Sequence, residues 1–294
     1  MSAEHSDNFH HVRDFPFFEL PGGMKIELPD VLGFQITKFM VLQVVAAVTV
    51  FLIFRGLSKR IGNGEAVKGR FWNFWEMLAL FVRDEVVRPT IGDGHHDHDD
   101  DHDHDSAASH SEVPHGGHFA DQYLPFIWSC FFYILICNLL GAIPFLGSAT
   151  ASINVTGSLA LCSFAATCTY GVRAMGVGGF FGNLIPDTGL TGFGGLVLSV
   201  MMFLIEGMGF LIKHSILALR LFGNIMGGHT ALGVMLAFIA QSVQLGNGLW
   251  GVVTVGSVAG QVGIGLLELL VAVLQAYVFS FLATIFIASS IHKH

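Results

Sequence analysis

From Leu196 to Ala240 the sequence runs for 45 residues with three charged side chains, Glu206, Lys213 and Arg220. From Trp250 to Ser289 it runs for 40 more with one, Glu268. A 45-residue helix is about 68 Å long, whereas the hydrocarbon core of a bilayer is about 30 Å thick. Cutting the first run into two spans fails, because Leu196–Ile205 is too short to cross alone. Two long, strongly tilted helices forming a hairpin, joined outside the membrane around Gly246–Gly248, accommodate both runs.

Composition agrees with a membrane chain. Of 294 residues 52% are hydrophobic and only 12% charged, and the mean hydropathy is +0.63. A soluble domain carries about twice that charged fraction. The formal charge of −8 is dominated by one short acidic tract, and no basic surface for nucleic acid is visible. No basic, apolar and small-residue stretch opens the chain, so no cleavable signal peptide is expected. Cys130, Cys137, Cys162 and Cys168 lie in apolar stretches without paired CxxC spacing and are read as packing residues.

The expected fold is an all-α integral membrane protein, with about five spanning helices plus one amphipathic surface helix. Residues 1–35 form an external N-terminal segment, and residues 36–60 the first transmembrane helix, closed by Arg55, Lys59 and Arg60. Lys68, Arg70, Arg83 and Arg88 follow, and then no Lys or Arg occurs between Pro89 and Val172. The positive-inside rule therefore puts 55–88 in the cytoplasm and the N-terminus outside. Residues 66–90 place Phe71, Phe74, Trp75, Leu78, Phe81 and Val82 at helical spacing, interrupted by Arg70, Asn73, Glu76, Arg83 and Asp84. That pattern predicts a helix on the membrane surface with its tryptophans at headgroup depth, the alternative being a helix packed on a soluble neighbour.

Residues 92–121 are a polar loop containing HHDHDDDHDHD. Its His95, His96, His98, His102 and His104 are weak candidates for loosely held Zn²⁺, Ni²⁺ or Cu²⁺. The bland reading is a solvated loop. Residues 122–294 form a four-helix membrane domain: Leu124–Ile143, then 153–170 ending at Arg173, a Gly-rich loop at 176–195, and the long hairpin. Five spans leave the C-terminus, with Lys293, in the cytoplasm.

Charge inside the 196–240 run is the informative feature. An intramembrane ion costs about 2.5–3.5 kcal/mol on insertion scales, so it is retained where it faces a cavity, a partner or another charge. Glu206, Lys213 and Arg220 fall within about 40° of one helix face, and Asn224, Gly227 and Ala231 continue that stripe. A guanidinium followed by small residues lets another helix come close. Arginine keeps its proton at any accessible pH, so it favours the ionised form of an approaching carboxylic acid and cannot itself pass protons. The competing reading is an arginine paired to Glu206 or reaching to an interface.

The segment SILALRLFGNIMGGH, 215–229, carries LRLFGN and resembles the signature of subunit a of the membrane sector of F-type, H⁺-transporting ATP synthases. YLPF (123–126), CNLLGAIP (137–144), ASINVTGSLAL (151–161), YGVRAMGVGGF (170–180), VLQAYVF (273–279) and the amphipathic FWNFWEMLALFVRDEV resemble family segments in the same order. The resemblance covers about residues 36–290. It implies that Arg220 is the family's essential arginine, facing the carboxylates of the subunit c ring. It implies further that Asn224 is its polar neighbour, that Gln275 lies close to it, that Glu206 is near a cytoplasmic half-channel, and that Asn154 is near the inlet path. The implied partners are the c ring, the subunit b peripheral stalk, the rest of the synthase and membrane lipid. The implied location is the bacterial cytoplasmic (inner) membrane, and the implied role is a non-catalytic stator of the proton channel.

Two departures stand out. Well-known bacterial members have glutamate nine positions after the arginine and histidine where this chain has Glu268; here the types are interchanged, as His229 and Glu268. A pair that keeps its chemistry while swapping places is expected to be in contact and to act as one proton relay, which suits histidine's reference pKa of about 6.5. The alternative is two independent polar residues solvated in a cavity. His214 also stands where many members have proline, which bears on local helix geometry.

Two other functions make different demands on the sequence. A divalent-metal transporter with a His-rich cytoplasmic loop predicts His and Asp ligands three or four residues apart inside the spans, and the spans contain none. A purely structural scaffold leaves Arg220 and Glu268 unexplained. No cofactor is expected, and no GxxxxGK[ST] nucleotide loop occurs.

Overall fold

The computed structural model describes residues 17–19, 25–31, 34–61, 69–92, 118–143, 147–183, 193–243 and 247–291. Two short antiparallel hairpins lead in: β1 (Phe17–Glu19) with β2 (Lys25–Glu27), and β3 (Asp30–Val31) with β4 (Phe34–Gln35). Apart from short turns and connections, the rest of the described chain is helical. Five of its helices are long and apolar enough to cross a membrane.

Helix α1 (Lys38–Ile61) ends in Lys59 and Arg60. The Arg60 guanidinium sits 4.3 Å over the Trp72 ring, a cation–π contact that ties the end of α1 to the next helix. Gly56 makes the same joint possible, because a Cβ there would collide with the Trp72 ring. Helix α2 (Arg70–Phe81) passes through a π-helical turn, Val82–Val87, into α3 (Arg88–Ile91). The wider turn brings Val86 and Val87 inward together, and both are fully buried.

Of the rod's two tryptophans, Trp72 is half-buried and Trp75 buried. Trp75 is only 8% exposed, packed 5.8 Å from the Phe132 ring. The Trp128 indole donates to the Ala79 carbonyl at 2.9 Å. One face of the rod is thus docked on the chain's own helices, while Phe71, Phe74 and Met77 remain outside. Arg88 grips Asp121 with two bonds of 3.0 and 3.1 Å. On the outer side Arg83 hydrogen-bonds Asp84 at 2.8 Å and holds its carboxyl below the usual carboxylate range.

Helix α4 (Leu124–Gly141) starts with Pro125 in its first turn, where the missing N–H costs nothing. It is apolar all round and is the centre of the bundle, with Ile127, Phe131, Phe132, Ile134 and Leu135 almost fully buried. Helix α5 (Ile153–Asn183) bends at Gly176, whose φ of 74° and ψ of 165° only glycine adopts easily. The Gly-rich loop expected from 176 therefore begins with a kink at that residue, and the helix resumes to Asn183. Helix α6 (Phe193–Ser242) and helix α7 (Asn247–Ile291) have 50 and 45 residues and pack against each other as a hairpin. At about 1.5 Å per residue both far exceed a bilayer core, so a membrane accommodates them by tilt or by protrusion.

Candidate functional site

The site lies along α6 and α7. Leu217, Leu221 and Ile225 recur at four-residue spacing and are buried against the bundle. That inward stripe turns Arg220, Gly223 and Gly227 to the exposed side of α6. Among the described residues the Arg220 guanidinium has no hydrogen bond or ion pair. Of the competing reading, an arginine paired to Glu206 or reaching to an interface, the pairing with Glu206 is not formed. Glu206 Oε1 lies 3.8 Å from Lys213 Nζ, two turns before the arginine.

His214, at the position of the expected proline, leaves α6 unbroken. Its ring is buried, donating from Nδ1 to the Phe210 carbonyl at 2.9 Å. Phe164, Phe210 and Phe286 surround it with ring centroids 4.6–5.3 Å away.

His229 and Glu268 meet. His229 Nε2 and Glu268 Oε1 are 3.8 Å apart, with side chains 15% and 11% exposed. That exceeds direct hydrogen-bond range, and a small side-chain rotation closes it. His229 Nε2 is buried and has no other partner among the described residues. Gly228 leaves the space for this approach, because a Cβ there would lie 3.1 Å from Glu268 Oε1.

The contacts also set the register of the hairpin. Gly228 faces Glu268, and the Met235 sulfur lies against Gly260. Gln275, seven residues beyond Glu268 on α7, is half-buried. Asn224 is partly exposed, with its Nδ2 buried and without a partner among the described residues. Asn154 is exposed at the start of α5 and, among the described residues, makes no hydrogen bond. The candidate ligands His95, His96, His98, His102 and His104 lie outside the described residues. Within the described residues no three His, Cys, Asp or Glu side chains group as a metal site.

One network was not singled out from the sequence. Asn138 on α4 donates from Nδ2 to the Ala272 carbonyl at 3.3 Å and accepts from the Thr150 hydroxyl at 2.9 Å. The Ser148 and Thr150 hydroxyls are 2.8 Å apart. Ala272 lies one turn from both Glu268 and Gln275, so this buried clamp fixes the stretch of α7 that carries them. The only signal was an asparagine inside an otherwise apolar span.

Together these features define a class: a polytopic α-helical membrane protein with an ionisable pair between its two longest helices and, on an exposed helix face, an arginine without an ion partner among the described residues. A family profile described as ATP synthase A chain matches residues 111–288. Similar curated proteins are named ATP synthase subunit a. That of Chloroherpeton thalassium is 32% identical over 297 residues, covering 98% of this chain and 77% of its own length. That of Myxococcus xanthus is 34% identical over 279 residues, covering 94% and 79%. That of Anaeromyxobacter dehalogenans strain 2CP-1 is 36% identical over 223 residues, covering 76% of this chain and 50% of its own. The chain belongs to the ATP synthase A chain family and is a multi-pass membrane protein.

Proposed function

We propose that this chain is the stator of the proton channel in an F-type ATP synthase, passing protons to and from a ring of c subunits and so coupling proton flow to rotation. The observation that carries the reading is Arg220, exposed and without an ion partner among the described residues, on the face of α6 that its own chain leaves uncovered. A cation so placed is stable in a membrane when a partner carboxylate comes to it.

The N-terminus lies outside and the C-terminus in the cytoplasm, in a bacterial inner membrane, in keeping with the Lys and Arg bias. A proton enters from outside past Asn154, is held and moved between His229 Nε2 and the Glu268 carboxyl, and passes Gln275 to a ring carboxylate. Neutralised, that carboxyl can enter lipid. After nearly a full turn a protonated carboxyl reaches the cytoplasmic half-channel near Glu206. There the fixed positive charge of Arg220 favours its ionised form, and the proton leaves. Because the guanidinium does not release a proton, Arg220 also separates the two half-channels. The subunit b stalk holds the stator, and the chemistry of ATP takes place on other subunits.

Arg220→Ala tests this in inverted vesicles driven by ATP, with subunit assembly checked. Acidification is expected to vanish while the complex still assembles. Acidification at the wild-type rate would show that this arginine is not the translocating charge.

A further inference from the structure

Glu268 and Gln275 are seven residues apart on α7, and stepping back by sevens gives Gln261 and Thr254. Seven residues are almost two full turns, so these four polar side chains share one stripe that drifts by only about 20° per step. Gln261 Nε2 and Thr254 Oγ1 are both buried and, among the described residues, without a hydrogen-bond partner. Ser257, between them on the same side of the helix, is 6% exposed. Met235 of α6 packs on Gly260 at this level, so α6 still accompanies α7 there. Buried amides and hydroxyls are normally satisfied by protein or by water. Two orphans in line with Glu268, on an otherwise apolar helix, mark a polar file rather than core.

We propose that Gln261 and Thr254 extend the proton inlet from Glu268 along the α6–α7 seam, two heptads or about 21 Å toward the hairpin turn, by holding a chain of water. The inference rests on the reading of His229 and Glu268 as the inlet relay. An amide and a hydroxyl each donate and accept, so they orient successive waters without trapping the proton, as a carboxylate or imidazole would. Proton release onto the His229–Glu268 couple then needs no charged group nearer the outer surface.

The test is passive proton flow through the assembled complex, in vesicles stripped of the ATP-hydrolysing sector, under an imposed potential. Gln261→Leu is expected to slow flow about tenfold and Thr254→Val about threefold, the range set by one lost hydrogen bond each. Gln261→Asn, which keeps the amide, is expected to recover much of the flow, which a packing role would not predict. Val262→Ala, on the exposed side of the helix, serves as the control. If Gln261→Leu does not assemble, Thr254→Val, which matches the native shape, decides. Wild-type flow in the Gln261 and Thr254 variants, with flow blocked in Glu268→Gln, overturns this inference and leaves the proposed function standing. Wild-type flow in Glu268→Gln as well overturns both.

Discussion

At the scale of single residues, the meeting of His229 and Glu268 makes a specific demand. Their reacting atoms are 3.8 Å apart and both side chains are largely enclosed. Glu268→Gln keeps the volume and removes the titration. Proton delivery in ATP-driven vesicles is therefore expected to fall about a hundredfold, the low end of what a lost acid–base group costs. The exchanged variant, His229→Glu with Glu268→His, keeps both chemical types in the same space. It is expected to pump several-fold faster than either single substitution, since residues in contact are not additive. Equal rates in the exchanged and single variants would mean that the two act independently. This contact was legible beforehand only because two chemical types were interchanged relative to the family's arrangement. The Asn138 clamp and the heptad neighbours Gln261 and Thr254 were not, because an uncharged polar residue in a span looks the same in sequence whether it is orphaned, clamped or facing solvent.

At the scale of elements, the long apolar runs dictated five spans and the hairpin, since apolar length against bilayer thickness leaves few solutions. Local geometry was less legible. The aromatic periodicity at 70–88 located an amphipathic helix but not its partner. An inward apolar stripe looks alike whether it meets lipid or α4, and Trp75 turned out to meet Phe132. Glycine density at 176–195 suggested a loop, yet among the described residues of that stretch only Gly176 takes a conformation that needs glycine. That makes Gly176→Ala a clean test. A Cβ there meets nothing within 4 Å, so the cost is backbone strain alone, about 1–3 kcal/mol. The thermal midpoint of the purified subunit in detergent is expected to drop by several degrees, while vesicles still acidify. An unchanged midpoint would mean that the kink relaxes without resistance.

At the scale of the whole molecule, the spans differ sharply in how far the chain covers them. The most apolar stretch of the α4 span is 61% buried within the chain and that of the α6 span only 11%, and on α6 the charged Glu206, Lys213 and Arg220 are all exposed. A bundle optimised for lipid would place its charges in the covered helix, so the bare face of α6 is expected to be completed by another chain. Gly223 and Gly227 allow this to be tested without disturbing the subunit itself. Both lie on the exposed side, and a Cβ at either meets nothing within 4 Å. Gly227→Leu therefore fits the isolated protein, and replacing glycine within a helix favours it slightly. Its thermal midpoint in detergent is expected to equal or exceed that of the parent. In the assembled complex the same leucine stands where a partner helix must come close, and ATP-driven acidification is expected to fall to background. Loss of pumping with unchanged subunit stability places the damage between chains. Normal pumping would mean that no helix approaches this face, and the partner would have to bind elsewhere.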